Sequence, residues 1–179
     1  TMGTVSVNRL GGLSLVLGFV IALGAYFISP GGLLVDAADP ADGAASIGAL
    51  VSNVGLANVT SLLIALGVIM ILYGVYVVQG GIRDNGNGDA LSRYGALLLL
   101  IGTVGLVTAS ALTIVVASGS AGPLVGAVYA IGLGVGQMSS IVGALGFLAL
   151  SLALSTREDS NKVFALVAAL ASAVLLVAG

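Results

Sequence analysis

The side chains most able to take part in binding or catalysis are polar residues in the middle of long apolar segments. Gln137, Ser139 and Ser140 lie in one such segment. Hydroxyl groups recur in another, as Thr103, Thr108, Ser110 and Thr113. Serine and threonine hydroxyls can bond to the backbone of their own helix, whereas a glutamine amide in hydrocarbon requires a partner on another helix. We expect Gln137 to link helices, and the alternative is a polar path for a solute through Gln137, Ser139 and Ser140.

Most side chains that carry catalysis or hold cofactors are absent. The 179 residues include no Cys and no His, which removes thiolate chemistry and the usual zinc, haem and copper ligands. Glycines at Gly132–Gly136 resemble the start of a nucleotide-binding motif, but no strand precedes them. Asp36, Asp39 and Asp42 offer oxygen ligands for Ca²⁺ without the complete loop pattern of such sites. We therefore predict no catalytic residue, no cofactor and no metal site.

The composition predicts that lipid surrounds most of the chain. Only 7% of the residues are charged and 59% are hydrophobic, with a mean hydropathy of +1.22, whereas soluble domains carry about 25% charged residues. The formal net charge of -2 is too small to indicate a nucleic-acid partner. The lipid bilayer is therefore the first predicted partner.

Five apolar segments are candidates for membrane spans, since a helix crosses about 30 Å of hydrocarbon with about 20 residues. They cover residues 10–29, 59–79, 94–117, 123–154 and 163–178. This pattern predicts an all-α fold with five transmembrane helices in one domain, residues 1–179. The fourth segment would measure about 48 Å as one straight helix. We expect it to bend or break near Gly132–Gly136, because alternate glycines weaken a helix.

A shorter helix is predicted in the first loop, over residues 40–54. Asp39 fits an N-cap, and Pro40 fits the first helical position. Apolar residues then recur at helical spacing, as Ile47, Leu50, Val51 and Val54. We expect this helix to lie at the outer surface of the membrane, and an irregular loop is the alternative.

The distribution of charge predicts the orientation. With five crossings, every basic residue falls on one side, namely Arg9, Arg83, Arg93, Arg157 and Lys162. The other side carries Asp36, Asp39 and Asp42 and no base. Because cytoplasmic loops are enriched in Lys and Arg, we predict a cytoplasmic N-terminus and an external C-terminus, in the cytoplasmic membrane of a prokaryote.

Small residues recur at intervals of four along the last two segments. One row is Gly122, Gly126, Ala130 and Gly134; a second is Gly132, Gly136, Ser140 and Ala144; a third is Ala165, Ala169 and Ala173. Such rows let helix backbones approach closely in lipid, either within the bundle or against another subunit.

The absence of chemistry and the small-residue rows lead to one functional hypothesis. We expect a structural or accessory subunit of a membrane protein complex, without enzymatic activity, whose partners are other membrane subunits or further copies of the chain. The alternative is a channel or facilitator for a small neutral solute, with its constriction formed by the bend near Gly134 and by Gln137, Ser139 and Ser140.

Overall fold

The computed structural model describes residues 6–39, 42–83 and 88–156, together with Ala168, Leu170 and Ser172. Its elements are α1 Val7–Ile28, α2 Gly43–Ser52, α3 Val54–Arg83, α4 Asp89–Ala117, a 3-10 turn Gly122–Leu124, and α5 Val125–Ser155. Helices α1, α3, α4 and α5 are long and apolar enough to cross a membrane. The predicted all-helical membrane bundle is therefore confirmed. The fifth predicted span, residues 163–178, lies outside the described residues, apart from the three named above.

Helix α5 is not broken at the place where the sequence predicts that the fourth span bends or breaks. It remains α-helical from Val125 to Ser155, including Gly132–Gly136. None of the glycines within α5 adopts a positive φ. The chain departs from α-helical geometry earlier, in the 3-10 turn that contains Pro123, since proline lacks the N–H of a helix interior. Three alternate glycines thus weaken this helix without interrupting its hydrogen bonds.

Helix α2 begins later than the sequence predicts. Asp42 is its N-cap, and the Asp42 side chain accepts a hydrogen bond of 3.0 Å from the backbone N–H of Ala45. The prediction that Asp39 caps this helix is therefore wrong. The backbone N–H of Ala45 has no acceptor within the helix, and Asp42, three residues before Ala45, supplies that acceptor. The buried residues of α2 are Ser46, Ala49 and Leu50, whereas Val51, expected on the apolar face, is exposed.

Helices α3 and α4 each begin five residues before the boundary that the sequence predicts. Helix α3 begins at Val54 rather than 59, and α4 begins at Asp89 rather than 94. Asp89 stabilises the first turn of α4 through the helix dipole. It also pairs with Arg93, whose Nη2 lies 2.9 Å from Asp89 Oδ2. Helical hydrogen bonding therefore continues past the apolar segment into residues that reach water or headgroups.

The chain forms two compact units, and every long helix contributes to both. Unit 1 comprises Thr1–Val16, Met70–Val104 and Met138–Gly179. Its described core is formed by apolar side chains of α3, α4 and α5: Ile71, Val75, Ile82, Ala96, Leu99, Leu150 and Ala153. Leu15 of α1 packs against this core. Helices α3, α4 and α5 therefore form the described core of unit 1, and α1 packs against that core.

Unit 2 comprises Leu17–Ile69 and Gly105–Gln137. Its buried core joins Leu50 of α2, Ala57 of α3, and Val116 and Ala117 of α4. Tyr129 of α5 packs against the same cluster. The short helix α2 is consequently part of the core of unit 2, and its buried surface is mostly small side chains.

Candidate helix-contact site

Glycines permit close contact between α1 and α3 within each unit. In unit 2, a methyl group added to Gly67 would lie 2.8 Å from the backbone nitrogen of Ala22 and 2.8 Å from the carbonyl oxygen of Gly18. In unit 1, a methyl group on Gly74 would lie 2.7 Å from the carbonyl oxygen of Gly11. These separations are too short for any side chain, so both contacts require glycine.

Glycines also permit close contact between α4 and α5 in unit 1. A methyl group on Gly95 would lie 2.8 Å from the carbonyl oxygen of Gly146, and one on Gly102 would lie 2.9 Å from that of Ser139. Sequence reasoning missed these glycines because it searched for intervals of four. An interval of seven separates Gly95 from Gly102, as it does Gly67 from Gly74 and Gly11 from Gly18. Heptad spacing is typical of left-handed helix packing.

The second predicted row is partly an internal contact. Gly132 and Gly136 face α4 in unit 2, where added methyl groups would lie 3.4 Å from Leu112 Cβ and 3.6 Å from Ala109 Cβ. Further along α5, in unit 1, Ala144 is buried and Ser140 is exposed. This row therefore packs within the chain at three of its four positions.

The first predicted row is exposed instead. Gly126, Ala130 and Gly134 all lie on the surface of unit 2. No other part of the described chain comes within 4 Å of the position that a methyl group would occupy on Gly126 or Gly134. Gly122 is also exposed, but it lies in the 3-10 turn with φ of +53° and therefore precedes the helical part of the row. We call Gly126, Ala130 and Gly134 the open α5 face.

Gln137 lies on the same side of α5 as the open α5 face. At about 100° per residue, it falls within about 60° of all three small residues around the helix axis. Its side chain is exposed on unit 2, and the residue takes part in an interaction that the structure records. A glutamine amide offers two donor hydrogens and two acceptor positions. The open α5 face therefore combines close backbone access with a polar group.

Of the other residues of the predicted solute path, Ser139 lies on the opposite side of α5 from Gln137, whereas Ser140 lies within about 60° of Gln137 around the helix axis. Ser139 is buried in unit 1, and it follows Gln137 by two residues, which turns it about 200° around the helix. Ser140 is exposed. Both serines take part in interactions within the chain. The three side chains thus do not line one common side of α5.

Two of the four hydroxyl groups that the sequence places in α4 bond to the backbone of their own helix. Ser110 Oγ donates to the carbonyl oxygen of Leu106 at 3.0 Å, and Thr113 Oγ1 donates to that of Ala109 at 3.1 Å. Such bonds satisfy the hydroxyl within its own helix. Thr103 is half-buried and Thr108 is exposed.

The acidic residues of the first loop have structural partners. Asp36 accepts a hydrogen bond from Asn53, and Asp42 caps α2. Across the ranges described above, no group of three or more acidic residues could hold a metal ion. The third small-residue row, Ala165, Ala169 and Ala173, lies outside the described residues.

No protein-family model, curated protein sequence or solved structure matches this chain.

Proposed function

We propose that this chain is a structural or accessory subunit of a membrane protein complex, without enzymatic activity, and that it contacts another chain through the open α5 face. The observation that carries the proposal is the contrast between two glycine rows on one helix. Gly132 and Gly136 are covered by α4, whereas Gly126 and Gly134 meet no other part of the described chain. A second helix could approach the backbone closely only on the uncovered side.

The hydrophobic effect contributes little to contacts between helices in a membrane. Acyl chains are as apolar as leucine, so helices associate in membranes through close packing and hydrogen bonds between helices. Gly67, Gly74, Gly95 and Gly102 already provide such packing inside the chain. The open α5 face has the same small residues, and no other part of the described chain packs against Gly126 or Gly134.

Gln137 supports a protein partner over lipid on this side of α5. A glutamine amide has two donor hydrogens and two acceptor positions, so it can take a further partner besides the interaction that this residue already makes. Its side chain is exposed beside the open α5 face. A neighbouring helix that supplied one further hydrogen bond to this amide would contribute about 0.6–2 kcal/mol to association.

The distribution of charge supports a cytoplasmic N-terminus. Arg9, Arg83 and Arg93 belong to the segments of unit 1. The segments of unit 2 contain Asp36, Asp39 and Asp42 and no Lys or Arg. Under the positive-inside rule, the end of α1 that carries Arg9 is cytoplasmic.

The experiment compares isoleucine at exposed glycines on two helices. Gly126→Ile and Gly134→Ile place bulk on the open α5 face, whereas Gly24→Ile places it at an exposed position of α1 that also has no neighbour within 4 Å. Each variant is extracted from its native membrane in mild detergent, and its mass is measured by native mass spectrometry. The wild type and Gly24→Ile are expected to retain a partner that both α5 variants lose.

Circular dichroism provides the folding control, with equal helical content expected in all four proteins. A wild-type protein that is monomeric on extraction would contradict the proposal. Retention of the partner by both α5 variants would contradict the assignment of the contact to this face.

A further inference from the structure

A tight turn follows α1 and folds back beside the end of that helix. The backbone N–H of Leu34 donates to the carbonyl oxygen of Phe27 at 3.2 Å, and that of Gly31 donates to Val35 at 3.0 Å. Pro30 and Val35 form an isolated bridge. Residues 29–35, which we call the 29–35 hairpin, therefore return toward Phe27 near the end of α1. The sequence alone indicates only that Ser29-Pro30-Gly31-Gly32 ends the helix.

The backbone of the 29–35 hairpin satisfies most of its own donors. Ser29 donates to Tyr26 at 3.3 Å and Gly32 donates to Ser29 at 2.9 Å, in addition to the bonds of Gly31 and Leu34. Pro30 has no N–H to satisfy. An unsatisfied backbone group costs several kcal/mol in hydrocarbon. Four of the six backbone N–H groups in residues 29–35 are thus bonded, which lets the turn lie at the edge of the acyl chains.

Two glycines make this geometry possible. Gly31 has φ of +79°, a conformation that L side chains rarely adopt. A methyl group on Gly32 would lie 2.8 Å from the carbonyl oxygen of Ser29 and 3.1 Å from that of Tyr26. The turn consequently requires glycine at positions 31 and 32.

The tip of the 29–35 hairpin is strongly apolar and uncovered. Leu33 is 66% exposed and Leu34 is 71% exposed. The neighbouring residues at the end of α1, Tyr26, Phe27 and Ile28, are exposed as well. Because the Leu34–Phe27 hydrogen bond places the two residues side by side, the leucines extend the exposed apolar surface of a transmembrane helix.

The chain turns polar immediately after the hairpin. Asp36 has φ of +42°, and its Oδ2 accepts a hydrogen bond of 2.5 Å from Nδ2 of Asn53. Nδ2 of Asn53 also donates to the carbonyl oxygen of Ala49 at 3.1 Å. The Asp36–Asn53 bond ties the segment after Val35 to the junction of α2 and α3, and the Leu34–Phe27 bond ties Leu34 to the end of α1.

We propose that the 29–35 hairpin is a lipid anchor, in which Leu33 and Leu34 insert between acyl chains at the edge of the bilayer beside the end of α1. Helix α1 has 22 residues, which at about 1.5 Å per residue gives about 33 Å, close to the hydrocarbon thickness of about 30 Å. Phe27 is thus near the boundary of the hydrocarbon, and Leu34 lies at the same level. Continuity with the lipid-facing surface of α1 favours lipid as the occupant over a second protein.

The chain contains no Trp, so a single introduced tryptophan reports its own surroundings. Leu34→Trp is placed in vesicles of phosphatidylcholine, with or without bromine near the top of the acyl chains, because bromine quenches tryptophan only on contact. Phe27→Trp is the control inside α1, and Ala37→Trp is the control in the exposed segment after Asp36. The anchor predicts blue-shifted emission and strong bromine quenching for Leu34→Trp and Phe27→Trp, and neither for Ala37→Trp.

Two results would overturn the lipid anchor. Emission as in water, quenched by aqueous iodide rather than bromine, would place Leu34 in solvent. Blue-shifted emission without bromine quenching would show that protein, from this chain or a second copy, covers Leu34 instead of lipid. Leu33→Trp provides a second reporter if the first variant fails to fold, which circular dichroism detects. This test needs only membrane insertion, so its outcome is independent of the subunit proposed for the open α5 face.

Discussion

At the scale of single residues, two asparagines near the start of α3 differ in how their amides are satisfied. Asn53 donates both to Asp36 at 2.5 Å and to Ala49 at 3.1 Å. Asn58 has a buried Oδ1 for which the described residues supply no hydrogen-bond partner. The first side chain therefore stabilises the fold, whereas the second carries a desolvation cost.

Replacement of each asparagine by leucine should separate these roles. Asn53→Leu removes two hydrogen bonds, each worth about 0.5–1.5 kcal/mol, and should lower the free energy of unfolding. Asn58→Leu removes an unpaired buried acceptor that costs about 1–3 kcal/mol, and should leave stability unchanged or raised. Thermal unfolding of both variants in the same detergent measures the difference. Equal losses of stability would contradict this assignment.

The Asp36–Asn53 contact was not predictable from the sequence. The two residues are 17 positions apart, and the position of Asp36 depends on the fold of the 29–35 hairpin. Sequence reasoning correctly predicted that the hydroxyls of Ser110 and Thr113 bond within their own helix, because that bond needs no information about neighbouring elements.

At the scale of helices, the spans were predictable and their contacts were not. Long apolar segments must be helical in lipid, because only internal hydrogen bonds satisfy the backbone there. The inner side of each helix is harder to identify, since lipid-facing and protein-facing residues are both apolar. With 28 glycines in the chain, rows of small residues recur on several sides, and only the structure separates the covered Gly132 from the exposed Gly134.

Alanine at two glycines tests the packing of α1 and α3. Gly67→Ala places a methyl group 2.8 Å from backbone atoms of Gly18 and Ala22, so it should destabilise the protein by about 1–3 kcal/mol, as overpacking does. Gly24→Ala adds a methyl group in open space and should be neutral or stabilising by up to about 1 kcal/mol, because alanine favours the helix. Unfolding in sodium dodecyl sulfate measures both. A smaller loss for Gly67→Ala than for Gly24→Ala would contradict the observed contact.

At the scale of the whole molecule, the proposed orientation can be tested with single cysteines, since the chain has none. We expect Ala37→Cys to react with a membrane-impermeant maleimide in intact cells, because the acidic first loop is external under the positive-inside rule. Ser6→Cys, three residues before Arg9, should react only after permeabilisation. The reverse pattern would place the basic end of α1 outside and refute the orientation.

The central claim is that the open α5 face contacts another protein, and photo-crosslinking from within it is the most direct test. Ala130→Cys labelled with benzophenone maleimide is irradiated in native membranes, beside the same label at the exposed Ala111 of α4. The account predicts a protein adduct, well above the mass of 17.4 kDa, from position 130 and only lipid adducts from position 111. Lipid adducts alone from position 130 would contradict it.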